Sequence, residues 1–303
     1  MSSPTLALRA PRFAAALPYL ALIGGIVSLS MGTSFAKSLY PMVGAAGTAS
    51  LRVGLSALIL LAVWRPWRSR LTRADLKGLA IYGVVMGLMN LCFYMSLATI
   101  PLGLALAIEF TGPLTIALLN SRKLIHFVWI GFAAMGLALL LPFDGNVQAL
   151  DPVGCAFAAA AAVFWALYIV FGKRVSHLPS GPTVAVGMSA AALTVVPFGF
   201  ATAGLELLNP SILMLGLIVA VVSSALPYTL DMIALKGIPK RTFGVMLSGD
   251  PAVGALAGLL FLGEHLSGLQ WLAIAAIITA SIGAVLTSPA GEDQPLRDPA
   301  APA

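Results

Sequence analysis

The sequence predicts an all-α polytopic membrane protein, with ten transmembrane helices in two inverted five-helix repeats and both termini on the cytoplasmic side. Three observations predict it. First, 59% of the 303 residues are hydrophobic and only 9% are charged, whereas soluble domains carry about 25% charged residues. So few charges cannot clothe a surface in water, and the mean hydropathy of +0.98 makes lipid the main solvent. Second, the apolar residues fall into ten runs, most of them close to the roughly 20 residues that cross a bilayer. Third, lysines and arginines gather in alternate connections, and the chain repeats itself at an offset of 138 residues.

The ten spans are expected at 17–36, 43–64, 76–97, 101–120, 126–142, 152–171, 183–203, 211–232, 242–262 and 268–287. They divide the chain into a cytoplasmic N-terminal segment (1–16), a first repeat (17–142), a second repeat (152–287) and a tail (288–303). Short connectors leave no room for a separate soluble domain. The first run, Leu17–Ala36, follows Arg9 and Arg12 as a signal peptide would. It is longer than a usual signal core and is followed by further spans, so it reads as a retained helix. The tail, SPAGEDQPLRDPAAPA, is rich in proline and alanine and is expected to be disordered. Cys92 and Cys155 lie inside apolar runs without metal-site spacing and read as small buried side chains.

Orientation follows from the basic residues. Arg9 and Arg12 precede span one. Arg65, Arg68, Arg70, Arg73 and Lys77 surround the connection between spans two and three. Arg122 and Lys123 follow span four, Lys173 and Arg174 follow span six, and Lys236, Lys240 and Arg241 separate spans eight and nine. With Arg297 these make 15 of the 17 basic residues, the other two being Lys37 and Arg52. The opposite connections hold Asp144, Asp151, Glu206 and Glu264. Both termini are therefore expected inside, and the pI near 9.6 reflects this placement rather than affinity for nucleic acid.

The offset of 138 matches Leu97 with Leu235, Ile100 with Ile238, Pro101 with Pro239, Pro113 with Pro251 and Ala117 with Ala255. Five helices per half is an odd number, so the second half enters the membrane with opposite polarity. Inverted repeats are a common secondary-transporter architecture, with substrate held near the midplane between the halves.

Four segments carry a family resemblance: SFAKSLYPMVGAAGTASLRVGLSALIL (34–60), YMSLATIPLGLALAIEFTGPL (94–114), ALPYTLDMIALKGIPKRTFGVMLSGDPAVGALAG (225–258) and LFLGEHL (260–266). Over roughly residues 17–287 the chain resembles the EamA-type exporters of the drug/metabolite transporter superfamily. It is similar above all to their amino-acid exporter branch, the threonine/homoserine and aromatic amino-acid exporters. The resemblance implies export of small metabolites across a bacterial inner membrane, amino acids first. Threonine, methionine and phenylalanine fit the sequence equally well. Where such proteins often carry Glu-Pro in span nine, this chain has Asp250-Pro251, a carboxylate one methylene shorter.

Charge inside a bilayer costs about 2.5–3.5 kcal/mol on insertion scales, so each instance asks for a reason. Glu109 lies eight residues past Pro101, and Asp250 eleven past Pro239, which brings both to similar depths from opposite faces. They can bind a substrate ammonium or exchange a proton against it; the alternative is a structural acid paired with Arg52 or with backbone donors near Pro113 and Pro251. Arg52 can clamp a substrate carboxylate in a bidentate fork or hold Glu109. Asp231 reads as a rim acid beside Lys236 and Lys240, and Lys37 as an outer-end residue that snorkels or gates.

The cavity lining is sought among neutral polar and aromatic residues. Tyr82, Met86, Asn90 and Tyr94 are four apart on one face of span three. Trp165 and Tyr168 follow in span six, Ser224 and Tyr228 in span eight, and Ser248 precedes Asp250. Pro113 and Pro251, expected inside their helices, are hinge candidates because each removes a helical donor. Pro101 and Pro239 are expected to start spans four and nine.

Several classes are excluded or set aside. No G-x-x-x-x-G-K-[ST] loop is present, so ATP is not the direct energy source, and no cofactor or metal site is expected. His126, His177 and His265 fall near helix ends. The partners expected are a small-molecule substrate, the lipid bilayer and, for antiport, protons. Organic cations are the alternative substrate. An intramembrane aspartyl protease is a different class, suggested by Asp231 and the Ser248-Gly249-Asp250 run.

Overall fold

The computed structural model describes residues 12–69, 71–119, 124–140, 151–237 and 246–287, which are helical with no strand among them. The helices are α1 (Arg12–Lys37), α2 (Tyr40–Trp64), α3 (Arg73–Ser96), α4 (Leu102–Glu109), α5 (Thr111–Leu119), α6 (Ile125–Leu140), α7 (Pro152–Val175), α8 (Ser180–Ala203), α9 (Pro210–Ala220), α10 (Leu226–Gly237), α11 (Asp250–Leu262) and α12 (Gly268–Thr287). Six helical stretches are long and apolar enough to cross a membrane: 16–37, 40–68, 73–96, 152–175, 181–208 and 210–231. Four shorter apolar helices accompany them, at 102–116, 127–136, 250–262 and 268–283. Large aliphatic side chains stand on the outside, Leu193 at 80% and Leu260 at 74% exposure. Water would not tolerate that surface over a whole protein, and lipid does.

Several expectations fall on residues outside those described: Arg9, the Arg122–Lys123 pair, Asp144, the Pro239–Arg241 stretch and the tail with Arg297. Others are corrected. The expected fourth span is two helices, because α4 ends at Glu109 and a turn at Phe110 precedes α5. Pro113 is accordingly in the first turn of α5, and Pro251 in the first turn of α11, after a turn at Ser248–Gly249. A proline there gives up an N–H that would lack a helical partner anyway. Pro101, by contrast, stands where expected, as the N-cap of α4. In the expected eighth span, α9 and α10 are joined by a π-helical turn, Val221–Ala225.

Small residues set the packing. The helices pair as α2 with α8, α3 with α7 and α8, α1 with α10, α4 with α11, and α6 with α12. At the α3–α8 crossing a Cβ on Gly83 would stand 2.6 Å from Ala190 Cβ and press on the Gly187 carbonyl. At the α4–α11 crossing a Cβ on Gly103 would come 2.6 Å from Ala255 Cα. Close approach of backbones is the main source of helix association where burial gives no advantage over lipid. Gly44 does something different: its φ of 68° kinks α2 just after its first turn and suits glycine. Asp151 caps α7, and the Thr99 hydroxyl and Gly154 N–H hold its carboxyl below the usual carboxylate range.

Gly83→Val should therefore force α3 from α8 and cost about 1–3 kcal/mol, as overpacking does. Gly131→Ala, where nothing lies within 4 Å, should be neutral or stabilising by about 0.5–1 kcal/mol. Thermal unfolding of the two variants in detergent reads the difference.

Candidate functional site

Six helices converge on a cavity of about 70 Å³. Its wall takes Leu29, Ser30 and Thr33 from α1, Arg52 from α2, Asn90 and Phe93 from α3, Leu102, Leu106 and Glu109 from α4, Trp165 from α7 and Asp250 from α11. The structure thus brings together Arg52, Asn90, Glu109, Trp165 and Asp250 of the residues expected at the site. Ser30 and Thr33 went unremarked in the sequence, because helical hydroxyls are common and neither stands in a motif.

Arg52 is 4% exposed. Its Nε donates to Ser224 Oγ at 2.9 Å, Nη1 to Asn90 Oδ1 at 2.6 Å and Nη2 to the Ser223 carbonyl at 2.8 Å. The guanidinium also lies 5.2 Å from the centre of the Tyr94 ring. All these partners are neutral, so the expected alternative of a buried Arg52–Glu109 pair is not what the structure forms. The Ser223 carbonyl has a local reason to be there. Pro227, four residues on, has no N–H to donate back to it, and the π-helical turn displaces the ladder further. Asn90 in turn donates Nδ2 to the Met86 carbonyl at 2.9 Å, which fixes its amide with the oxygen toward Arg52.

Both carboxylates sit at helix breaks. Glu109 is the last residue of α4 and Asp250 the first of α11. They are 5% and 3% exposed, and neither forms an ion pair among the described residues. Asp250 Oδ1 has no hydrogen-bond partner among the described residues. A buried carboxylate without a protein partner is costly, and here two share a wall with a cation that is bound to neutral groups.

The remaining expected residues are placed off the cavity wall. Tyr94 is fully buried beneath Arg52, with its hydroxyl unpaired and its carbonyl accepting from Tyr40 at 2.6 Å. Tyr82 donates to the Tyr168 hydroxyl at 2.8 Å, with the rings stacked 4.9 Å apart. Tyr228 packs with Tyr168 in the same cluster as Met86. These three form an aromatic layer beside the cavity rather than lining it. Ser248 is buried in the turn before α11. Asp231 lies against Gly25 of α1, where an added Cβ would come 3.0 Å from its Oδ1; the Lys236 and Lys240 side chains expected beside it are outside the described residues. The Trp165 ring meets Phe110, at the α4–α5 break, edge-on at 5.3 Å.

Lys37 ends α1 and donates Nζ to Glu264 Oε1 at 2.7 Å, with both side chains largely buried. The other Glu264 oxygen accepts from Leu102 N at 2.9 Å, an otherwise free donor in the first turn of α4. One carboxylate therefore ties together the end of α1, the start of α4 and the loop that follows α11.

A model of the EamA-like transporter family matches residues 152–286. The threonine/homoserine exporter RhtA of Escherichia coli (strain K12) is 48% identical over 271 residues, 89% of this chain and 92% of that exporter. RhtA of Salmonella typhimurium (strain SL1344) is 48% identical over the same shares. The uncharacterized transporter YwfM of Bacillus subtilis (strain 168) is 27% identical over 77% of this chain and 80% of its own. A crystal structure of a protein 19% identical superposes with a TM-score of 0.53, covering 89% of this chain and 98% of the other, which speaks to the fold alone. These relatives are transporters rather than enzymes, and they overturn the aspartyl-protease alternative.

Asn90→Leu should remove the acceptor of Arg52 Nη1 and leave a buried charged donor unpaired, at about 1.5–3 kcal/mol. Tyr94→Phe keeps the ring beneath the guanidinium and deletes a hydroxyl that has no partner, so it should change stability by less than about 0.5 kcal/mol. Melting of both variants in detergent separates the two roles.

Proposed function

The chain belongs to the EamA-like transporter family, and from that premise we propose that it exports small amino acids of the threonine and homoserine kind across the inner membrane. The observation that carries this reading is the cavity's unbalanced chemistry: two buried carboxylates that form no ion pair among the described residues, one Asp250 oxygen among them unpaired, opposite a guanidinium bound to neutral groups. A zwitterion supplies what both lack. Its ammonium answers Asp250 or Glu109. Its carboxylate meets the guanidinium N–H groups left over after three of the five are used. The names of the 48%-identical relatives support the substrate class.

A 150 Å³ apolar cavity takes benzene, so at about 70 Å³ the cavity would have to widen to admit any amino acid, as the opening of an alternating-access carrier would allow. The organic-cation alternative is disfavoured by Arg52, whose charge stands in the same wall.

Ten spans with both termini inside, in halves 17–142 and 152–287, form the proposed scaffold. Six long and four shorter apolar helices support the count. The contacts support the repeat. An axis exchanging the halves maps the α2–α8, α4–α11 and α6–α12 contacts onto themselves and the α1–α10 contact onto α3–α7. The family match to 152–286 coincides with the second half. Alternating access would rock these halves about the cavity, with Asp250 or Glu109 exchanging a proton for substrate. Lys37, Glu264 and the start of α4 would form the outer gate, and the breaks before Pro113 and Pro251 the hinges.

Labelled threonine should be carried by the wild type in proteoliposomes, and Asp250→Asn or Glu109→Gln should cut the flux at least tenfold, the equivalent of losing about 1.4 kcal/mol. The variant at the coupling site should also lose its response to an imposed pH gradient. No threonine or homoserine flux under any gradient would refute the reading.

The gate has its own test. With Cys92 and Cys155 replaced by alanine, a cysteine at Thr33 should react with an impermeant thiol reagent from outside faster in Glu264→Gln than with Glu264 intact. Equal rates would remove Glu264 from the gate.

A further inference from the structure

The cavity holds a second unpaired group besides Asp250. Hydroxyls inside these helices satisfy themselves by donating to the carbonyl one turn back: Ser34 to Ser30, Thr48 to Gly44, Ser50 to Ala46, Ser56 to Arg52 and Ser223 to Val219. Ser30 does not. Its Oγ is buried without a partner, the residue is 2% exposed, and it lines the cavity. The other buried oxygens in that condition, on Tyr94 and Ser281, belong to residues outside the cavity wall. Among the described residues, the fully buried atoms of the wall left unpaired are therefore one Asp250 carboxylate oxygen and the Ser30 hydroxyl.

We infer that Ser30, with Thr33 one helical turn away on the same face of α1, reads the side-chain hydroxyl of the exported amino acid. This rests on the amino-acid reading above and adds to it the feature by which substrates are told apart. A buried hydroxyl left unpaired is unfavourable in a structure of otherwise paired groups, and a ligand hydroxyl pairs it. A hydroxy amino acid held by its ammonium at Asp250 extends its side chain within the same wall. α1 packs against α11, the helix that Asp250 begins, so both groups sit on directly packed elements. A substrate with a methyl in place of the hydroxyl offers Ser30 no partner. Sites built to bond a substrate hydroxyl discriminate on that ground far more strongly than apolar pockets do.

The test is competitive export in proteoliposomes of threonine against valine, and of homoserine against norvaline, each pair differing by hydroxyl for methyl. The wild type should prefer the hydroxy member. Ser30→Ala should lower that preference by about tenfold, through reduced threonine flux with valine flux held or raised. A ratio within one preparation does not depend on how much protein folds. Thr33→Val, which keeps the side-chain shape, provides a second reading of the same ratio. Equal loss of both fluxes in Ser30→Ala would make Ser30 structural and overturn the inference, as would an unchanged ratio in both variants. A wild type that carries neither member of either pair would instead overturn the amino-acid reading on which it stands.

Discussion

A guanidinium buried among lipid-facing helices has to be held by the protein, and much of this architecture follows from how Arg52 is held. Five donors need acceptors in a medium that supplies none. Three find them on two elements: an amide on α3, and a hydroxyl and a carbonyl in the π-helical turn between α9 and α10. That turn and Pro227 are therefore not defects in a membrane helix. They release the acceptor that the cation uses. The cost of irregular backbone is met by a side chain from another helix, which is the condition under which such backbone survives at membrane depth.

The same condition accounts for where the acids lie. Glu109 closes α4 just before a turn, and Asp250 opens α11 just after one. Broken helices expose backbone donors and acceptors, and transporters place substrate and ion sites at such breaks. Phe110 and Ser248 are separated by the same 138 residues that relate Pro113 to Pro251, so the two breaks fall at equivalent points of the proposed repeat. The acids themselves do not: Asp250 corresponds to Gly112 at that offset, and Glu109 to Leu247. Each half contributes one carboxylate from a different side of its break, which brings two unlike acids to a pseudosymmetric place.

Much of this was legible in the sequence. The apolar runs marked the long apolar helices because lipid imposes a length and a composition on any helix that crosses it. Arg52, Asn90, Glu109 and Asp250 stood out because polar groups in apolar runs are expensive. The breaks at Phe110 and Ser248–Gly249 were missed, since hydropathy does not register whether a run is one helix or two. The tyrosines misled for a related reason. Tyr82 and Tyr94 share a face with Asn90, but a helix face covers neighbours on both sides, and only the packing of α7 and α8 decides which side chains meet the cavity. Ser30 carried no signal at all, because a hydroxyl that bonds its own helix and one that does not are the same letter.

Glu264 shows how local and distant parts of the site are joined. Its two oxygens bind different helices, α1 through Lys37 and α4 through the Leu102 N–H, while its own loop continues from α11. α4 ends at one cavity acid and α11 begins at the other, so the clasp connects the far ends of both acid-bearing helices. A helix of eight or thirteen residues is stiff over its length. Releasing the clasp therefore frees these two helices at the ends opposite their acids, and binding a substrate across those acids constrains them from within. On the proposed alternating-access reading, the Lys37–Glu264 contact and the cavity would act on the same two rods, and occupancy of one would be coupled to closure of the other without any further relay.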